Sequence, residues 1–172
     1  TMRQNDHNIP YYAHFTLPAN AEAGGVASNT EAFYSYNYAN IHFISLDSYG
    51  EELNTYRLYD TLGPQVTWLK KDLAANSQMW TIAYWHNPPY TMGSHNSDIE
   101  SELINIRQNL ICILERYNVD LILCGHSHVY ERSNLMRGHY GYESTFDATT
   151  HNLTTPSAKY HANNNKREWV LG

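Results

Sequence analysis

The stretch "VDLILCGHSHVYER" (residues 119–132) places two histidines directly after an apolar run. The apolar residues predict a buried β-strand, and Gly125 with the polar residues after it predicts that the strand ends in a loop. Because side chains alternate along an extended chain, His126 and His128 would share one face and could converge on one site. Two imidazoles in this setting favour a metal site over a pair of structural histidines.

A third histidine stands at the end of another apolar run. The segment "MWTIAYW" (residues 79–85) is typical of a buried strand, and His86 follows it directly. Ligands of open α/β sheets lie beyond the carboxyl ends of the strands. We therefore predict that His86, His126 and His128 are ligands of one metal site, with His86 and His126 nearest to each other.

The chain between these two runs predicts a long helix. Ser97 and Glu100 have the spacing of a capping box, and apolar side chains then recur every three or four residues as far as residue 117. Strand, loop, helix and strand over residues 79–124 would form a βαβ unit, whose neighbouring strands are parallel. This topology is the step that brings His86 and His126 to the same edge of a sheet.

Further elements are predicted upstream. The segments "AFYSYNY" (residues 32–38) and "IHFISLD" (residues 41–47) alternate as paired strands joined by a short turn, and a helix is expected from Pro64 to about residue 75. Cys112 and Cys124 are expected to be small apolar core residues rather than ligands or a disulfide. The pattern as a whole indicates an α/β fold.

The chain beyond residue 134 is rich in Gly, Tyr, Thr, His and Asn and has little periodicity. Residues 135–172 are therefore predicted to be a loop-rich tail. We expect His139, His151 and His161 to be solvated loop residues, because no strand end or carboxylate frames them.

The residues around the histidines also carry a family resemblance. "AYWHNPPY" (residues 83–90) followed by "CGHSHVYERS" (residues 124–133) resembles the last two metal-binding motifs of the purple acid phosphatases, within the calcineurin-like metallophosphoesterases. The resemblance covers roughly residues 8–146. It implies an α/β (α+β) fold in which the chain is part of a β-sandwich flanked by helices, with the βαβ unit carrying the histidine ligands.

The resemblance also implies a chemistry. It implies hydrolysis of phosphate monoesters at a binuclear centre of iron paired with zinc, manganese or a second iron. His86 and His126 would bind one metal and His128 the other. His95 corresponds to a catalytic histidine that hydrogen-bonds a phosphoryl oxygen or protonates the leaving group.

The sequence departs from the family in its earlier motifs. Gly-Asp-x-Gly, Gly-Asp-x-x-Tyr and Gly-Asn-His-Glu/Asp supply the family's other ligands, and none of them occurs here. We therefore expect residues 1–172 to form a single, incomplete catalytic domain, the C-terminal part of a longer enzyme, with negligible activity on its own. Two alternatives stay open: a noncatalytic truncated fragment, and a mononuclear zinc hydrolase or metal-binding protein that uses the same three histidines.

Composition narrows the class of partner. The net charge of −6 and the lack of a Lys/Arg-rich run argue against a nucleic-acid surface, and no apolar run approaches the roughly 20 residues of a transmembrane helix. The expected partner is a small phosphate ester. The 15 tyrosines and many asparagines suit a secreted or periplasmic protein. Sheet edges left unpaired by missing strands predict a homo-oligomer.

Overall fold

A computed structural model describes residues 10–49 and 56–154. The four strands form one mixed sheet in the order β1-β2-β3-β4, which confirms the α/β class. The second sheet of the expected sandwich is not among the described residues. In chain order the elements are α1 (Pro10–His14), β1 (Tyr34–Tyr38), β2 (Ile41–Ser45), α2 (Pro64–Ala75), β3 (Trp80–Tyr84), α3 (Ser101–Asn109), α4 (Ile111–Arg116), β4 (Leu121–Leu123), a 3₁₀ turn (Glu143–Thr145) and α5 (Ala148–His151).

The strand directions decide where the histidines lie. β1 and β2 form the predicted antiparallel hairpin, with Ala39 in the left-handed region (φ 53°) at its turn. β2 pairs with β3 and β3 with β4 in parallel, and Tyr84 is the register partner of Leu123. The carboxyl ends of β3 and β4 therefore lie side by side, as the βαβ prediction required. His86 and His126 follow these two ends.

The core lies against one face of the sheet. Ile44, Ala83 and Ile122 stand on neighbouring strands and point to that face, where they are buried. The helices that follow β2 and β3 cover these side chains, because each helix has an apolar stripe at three- to four-residue spacing. The core residues that the helices contribute are Val66, Trp68, Leu69 and Leu73 of α2, Ile106 of α3, and Ile111, Ile113 and Leu114 of α4.

The predicted capping box is wrong. The helix begins at Ser101, and Glu100 is its N-cap residue without a side-chain cap. The Ser97 hydroxyl instead bonds the backbone of Thr91, accepting from its N–H at 3.0 Å and donating to its carbonyl at 3.2 Å. The predicted single helix is also divided into α3 and α4 at Leu110. Ser97 therefore stabilises the loop before the helix and does not cap the helix.

The segment after residue 134 is more ordered than predicted. It contains the 3₁₀ turn and α5, and His139 is buried (4% exposed) rather than solvated. The His139 ring packs against the rings of Phe146 and His151, whose centroids lie 5.2 and 5.0 Å from its own. His161 lies outside the described residues.

Two further findings concern surfaces. The prediction that Cys124 is buried is wrong, since that residue is exposed, and Cys112 is half-buried; both cysteines are free.

Within residues 10–49 and 56–154, the helices are too short or too polar to cross a membrane.

Candidate metal centre

Backbone pairing beyond the strands brings two of the predicted ligands together. The Trp85 N–H donates to the Leu123 carbonyl at 3.2 Å, and the Gly125 N–H donates to the His86 carbonyl at 3.0 Å. Nδ1 of His126 consequently lies 3.1 Å from Nε2 of His86, and the two rings meet edge to face with centroids 4.9 Å apart. The expected proximity of these imidazoles is found, and their role as metal ligands stays a prediction.

His126 and His128 are not arranged as the sequence argument assumed. Their φ angles are 72° and 53°, so both residues have left-handed rather than extended backbone, and the alternation of side chains along a strand does not apply. His126 is half-buried, whereas His128 is exposed. Burial lowers the pKa of His126, and positive charge on the neighbouring histidines, His128 among them, lowers it further.

His95 lies directly beside His126. The two rings stack with centroids 3.8 Å apart and an angle of 26° between their planes. On the other side, Nδ1 of His95 lies 2.9 Å from a carboxylate oxygen of Glu100. Ligand-type atoms of His95, Glu100 and His126 all lie within 4.8 Å of one another.

Glu100 was not predicted as a site residue. Burial alone would raise the pKa of its carboxyl group, but the Asn96 N–H and the His95 ring outweigh that effect and hold the pKa below its usual value. Glu100 is therefore an ionised carboxylate near neutral pH. Its spacing in the sequence matches a capping box, but the helix begins at Ser101 and the Glu100 carboxylate contacts the His95 ring instead.

A hydrogen-bond network fastens the loop of His95 to the loop of His126. The buried Thr91 hydroxyl donates to the Glu131 carboxylate at 2.6 Å and lies 2.5 Å from the Ser127 hydroxyl. The Met92 N–H donates to the other oxygen of Glu131 at 2.9 Å, and the Ser94 hydroxyl donates to the Ser127 carbonyl at 2.7 Å. Glu131 therefore positions the two loops rather than facing the histidines.

The donor set decides how many ions these residues can hold. Imidazole nitrogens and a carboxylate oxygen suit zinc, iron and manganese. Two cations side by side also require several carboxylates to neutralise and bridge them. Among the described residues, Glu100 is the carboxylate that groups with these histidines. The group fits one ion, and a second ion needs ligands from elsewhere.

Comparison with known proteins shows which family the chain belongs to. Residues 4–130 match the family of calcineurin-like phosphoesterases. Purple acid phosphatase 23 of Arabidopsis thaliana is 34% identical over 128 residues, which cover 72% of this chain and 25% of that protein. An uncharacterized protein of Mycobacterium tuberculosis is 30% identical over 141 residues, covering 77% of this chain and 26% of that protein. The chain belongs to the calcineurin-like phosphoesterase family, which confirms its resemblance to the purple acid phosphatases.

The match covers part of the relatives. The chain spans about a quarter of the length of the curated relatives named above. Among solved structures, the purple acid phosphatase PPD1 from yellow lupin (Lupinus luteus) seeds is similar over 61% of this chain and 18% of that chain, with 21% identity and a TM-score of 0.45.

Proposed function

We propose that this protein hydrolyses phosphate monoesters at a centre of two metal ions, as an acid-phosphatase-like phosphohydrolase. The observation that carries the proposal is the contact between His86 and His126 at the ends of two parallel strands, in a chain of the calcineurin-like phosphoesterase family. Iron paired with zinc, manganese or a second iron is part of the proposal. The further ligands come from outside the described residues.

The histidines divide between the two ions in this proposal. His86 and His126 hold one ion, because their nitrogens already lie 3.1 Å apart, and the exposed His128 holds the other. His86, His126 and His128 would hold the two ions, and the chemistry that the ions would supply is neutralisation of the phosphate charge and activation of a water molecule. The backbone bond from Gly125 to His86 keeps the two imidazole-bearing segments in register.

His95 has the catalytic role in this proposal. Its Nδ1 is engaged by the Glu100 carboxylate, which leaves Nε2 for the substrate. The contact with Glu100 fixes the orientation of the ring, and the His95 side chain can then hydrogen-bond a phosphoryl oxygen or donate a proton to the leaving oxygen. Glu100 thus positions His95 and does not itself contact substrate.

Substrate and location complete the proposal. The family makes a small phosphate ester the substrate class. A secreted or periplasmic location rests on the tyrosine- and asparagine-rich composition.

The test is hydrolysis of p-nitrophenyl phosphate by the product of the complete open reading frame that contains these residues. We expect turnover with added iron, zinc or manganese, and a loss of at least about 100-fold in kcat/KM for His86→Ala and His126→Ala because the ions lose a ligand. His14→Ala removes an exposed histidine far along the chain from these strand ends and is the matched control. Absence of hydrolysis by the complete product would refute the proposal.

The 172-residue chain provides a second measurement. We expect its hydrolysis of the same substrate to be negligible, since the described residues group one carboxylate with the histidines. Robust turnover that disappears in His126→Ala would show that the chain holds both ions with its own residues.

A further inference from the structure

Arg107 of α3 carries its positive charge into the interior of the protein. Its side chain is fully buried, and among the described residues it is the largest side chain buried to that degree. Burial of a charge costs free energy unless the charge is paired and hydrogen-bonded, so the groups around the guanidinium have to replace the water that it loses. Those groups belong mainly to the loop that carries His95.

The guanidinium joins both ends of the His95 loop (residues 89–97). Its Nη1 donates to the Pro89 carbonyl at 3.2 Å and to the Ser97 carbonyl at 2.8 Å. Its Nη2 lies 3.0 Å from a carboxylate oxygen of Asp98, as an ion pair without hydrogen-bond geometry. One rigid, planar group of α3 therefore closes the base of the loop.

The His95 loop is also bonded within itself. The Ser97 N–H donates to the Thr91 carbonyl at 3.1 Å, and Met92 pairs with Asn96 as an isolated antiparallel bridge. His95 directly precedes Asn96 and so lies next to this bridge. Because internal bonds hold the loop in shape, a shift at its base would also move the His95 ring.

Two tyrosine rings and the segment after residue 134 complete the surroundings of the guanidinium. The rings of Tyr90 and Tyr142 have their centroids 5.4 and 5.9 Å from Cζ, within the range of cation–π contacts. The Glu143 N–H donates to the other carboxylate oxygen of Asp98 at 2.7 Å. This segment thus helps to keep the guanidinium out of water, where its bonds to the loop are strongest.

We propose that Arg107 is a positioning residue that holds the His95 ring in place for phosphate-ester hydrolysis. The guanidinium fixes both ends of the loop, and the His95 ring is thereby held against His126, with centroids 3.8 Å apart. Lysine cannot replace this arginine, because one ammonium group cannot span two carbonyls and the Asp98 carboxylate in one plane. The catalytic consequence rests on the proposed function, whereas the position of the His95 ring does not.

NMR of the 172-residue chain tests the geometry without an activity assay. In the unsubstituted chain, nuclear Overhauser contacts should join the ring protons of His95 and His126. Arg107→Lys keeps the charge but removes the planar fork, so these contacts should weaken at least about twofold. Arg116→Lys makes the same change at an exposed arginine of α4 and should leave them unchanged. Unchanged ring contacts in an Arg107→Lys chain whose β2 and β3 amides stay protected overturn the proposal.

A double-substitution cycle in the product of the complete open reading frame tests the catalytic consequence. Arg107→Lys should lower kcat for p-nitrophenyl phosphate at least about tenfold and leave KM within about threefold, because a displaced ring acts on bound substrate. Once His95→Asn has removed the ring, adding Arg107→Lys should cost less than about twofold. Arg116→Lys should keep full activity. Additive losses would show that Arg107 acts apart from His95 and would overturn the proposal.

The two proposals fail separately in these measurements. An inactive product of the complete reading frame refutes the proposed function, and the ring contacts in the 172-residue chain still decide whether Arg107 positions His95.

Tyr142→Leu is a milder substitution for the case that Arg107→Lys does not fold. Tyr142 is 45% exposed, and loss of its ring admits water to the guanidinium and weakens the bonds to the loop. The contacts between the His95 and His126 rings should weaken, whereas Tyr38→Leu, at a tyrosine that is 73% exposed on β1, should leave them unchanged. Intact ring contacts in Tyr142→Leu, together with an Arg107→Lys chain that does not fold, would make Arg107 a structural residue only and overturn the proposal.

Discussion

Gly25 lies before β1, where the chain packs closely against α2, the helix that covers the sheet. Asp72 of α2 is fully buried and accepts hydrogen bonds from the Val26 N–H at 2.6 Å and the Ser35 hydroxyl at 2.8 Å. Its other oxygen lies 2.7 Å from Nε2 of His42. A Cβ at Gly25 would collide with the Ser35 hydroxyl, and the φ of Gly25 is +81°. Space and backbone conformation therefore both require glycine here.

Gly138 allows these two requirements to be separated. Its φ is +77°, but within residues 10–49 and 56–154, chain neighbours apart, no atom lies within 4 Å of the position that a Cβ would occupy. Both Gly25→Ala and Gly138→Ala should lose about 1–2 kcal/mol from the left-handed backbone. Gly25→Ala should lose a further 1–3 kcal/mol or so from overpacking against Ser35 and Asp72. Urea denaturation measures both changes, and equal losses would show that the loop moves aside without cost.

Residue positions could be predicted where strand topology determines them. His86 and His126 were placed together because parallel strands end at one edge, and the structure has them 3.1 Å apart. Glu100 and His139 could not be placed, because loops decide their surroundings. The sequence around Glu100 fits a helix cap equally well, and His139 becomes buried through its contact with Phe146.

At the scale of elements, periodicity predicted most of the fold. The hairpin, α2, β3 and β4 lie within a few residues of their predicted bounds, because each has a regular apolar pattern that one face of the sheet or helix buries. The division between α3 and α4 could not be predicted. Apolar spacing continues across Leu110, and the residue keeps helical dihedral angles (φ −94°, ψ −43°). A local irregularity of this kind leaves no trace in the pattern.

Thr91→Val tests whether the two histidine-bearing loops behave as one element. Valine keeps the shape of Thr91 but leaves Glu131 and Ser127 without its hydroxyl. We expect a loss of about 1–3 kcal/mol in stability and faster amide hydrogen exchange at Met92 and Ser94, whose N–H groups bond across the loops.

A threonine on α2 is the control for this substitution. Thr67 is exposed, and its hydroxyl makes a long bond of 3.4 Å to the Leu62 carbonyl. Thr67→Val should change stability by less than about 0.5 kcal/mol. Unchanged exchange at Ser94 in Thr91→Val would contradict a coupled loop pair.

At the scale of the whole molecule, the two faces of the sheet differ. One face packs against helices, whereas the other exposes Trp80 (49%), Leu121 (43%) and Leu123 (51%). The register places half-buried Ile82 beside Leu121 and Tyr84 beside Leu123, so these side chains form a continuous apolar surface. β4 borders this surface and pairs with β3 along one side, which leaves its three-residue edge at the end of the sheet.

We expect the chain to self-associate through this apolar surface, since apolar patches of this kind usually mark protein contacts. Light scattering on the 172-residue chain should give a mass above that of the 19.9 kDa monomer. The double substitution Leu121→Glu and Leu123→Glu should shift the mass toward the monomer, because two carboxylates would have to be buried on association. Leu62→Glu introduces the same charge at a leucine that is 89% exposed and lies in a loop, and it should leave the mass unchanged. A stable monomer of the unsubstituted chain, with cooperative unfolding, would show that the exposed face needs no partner.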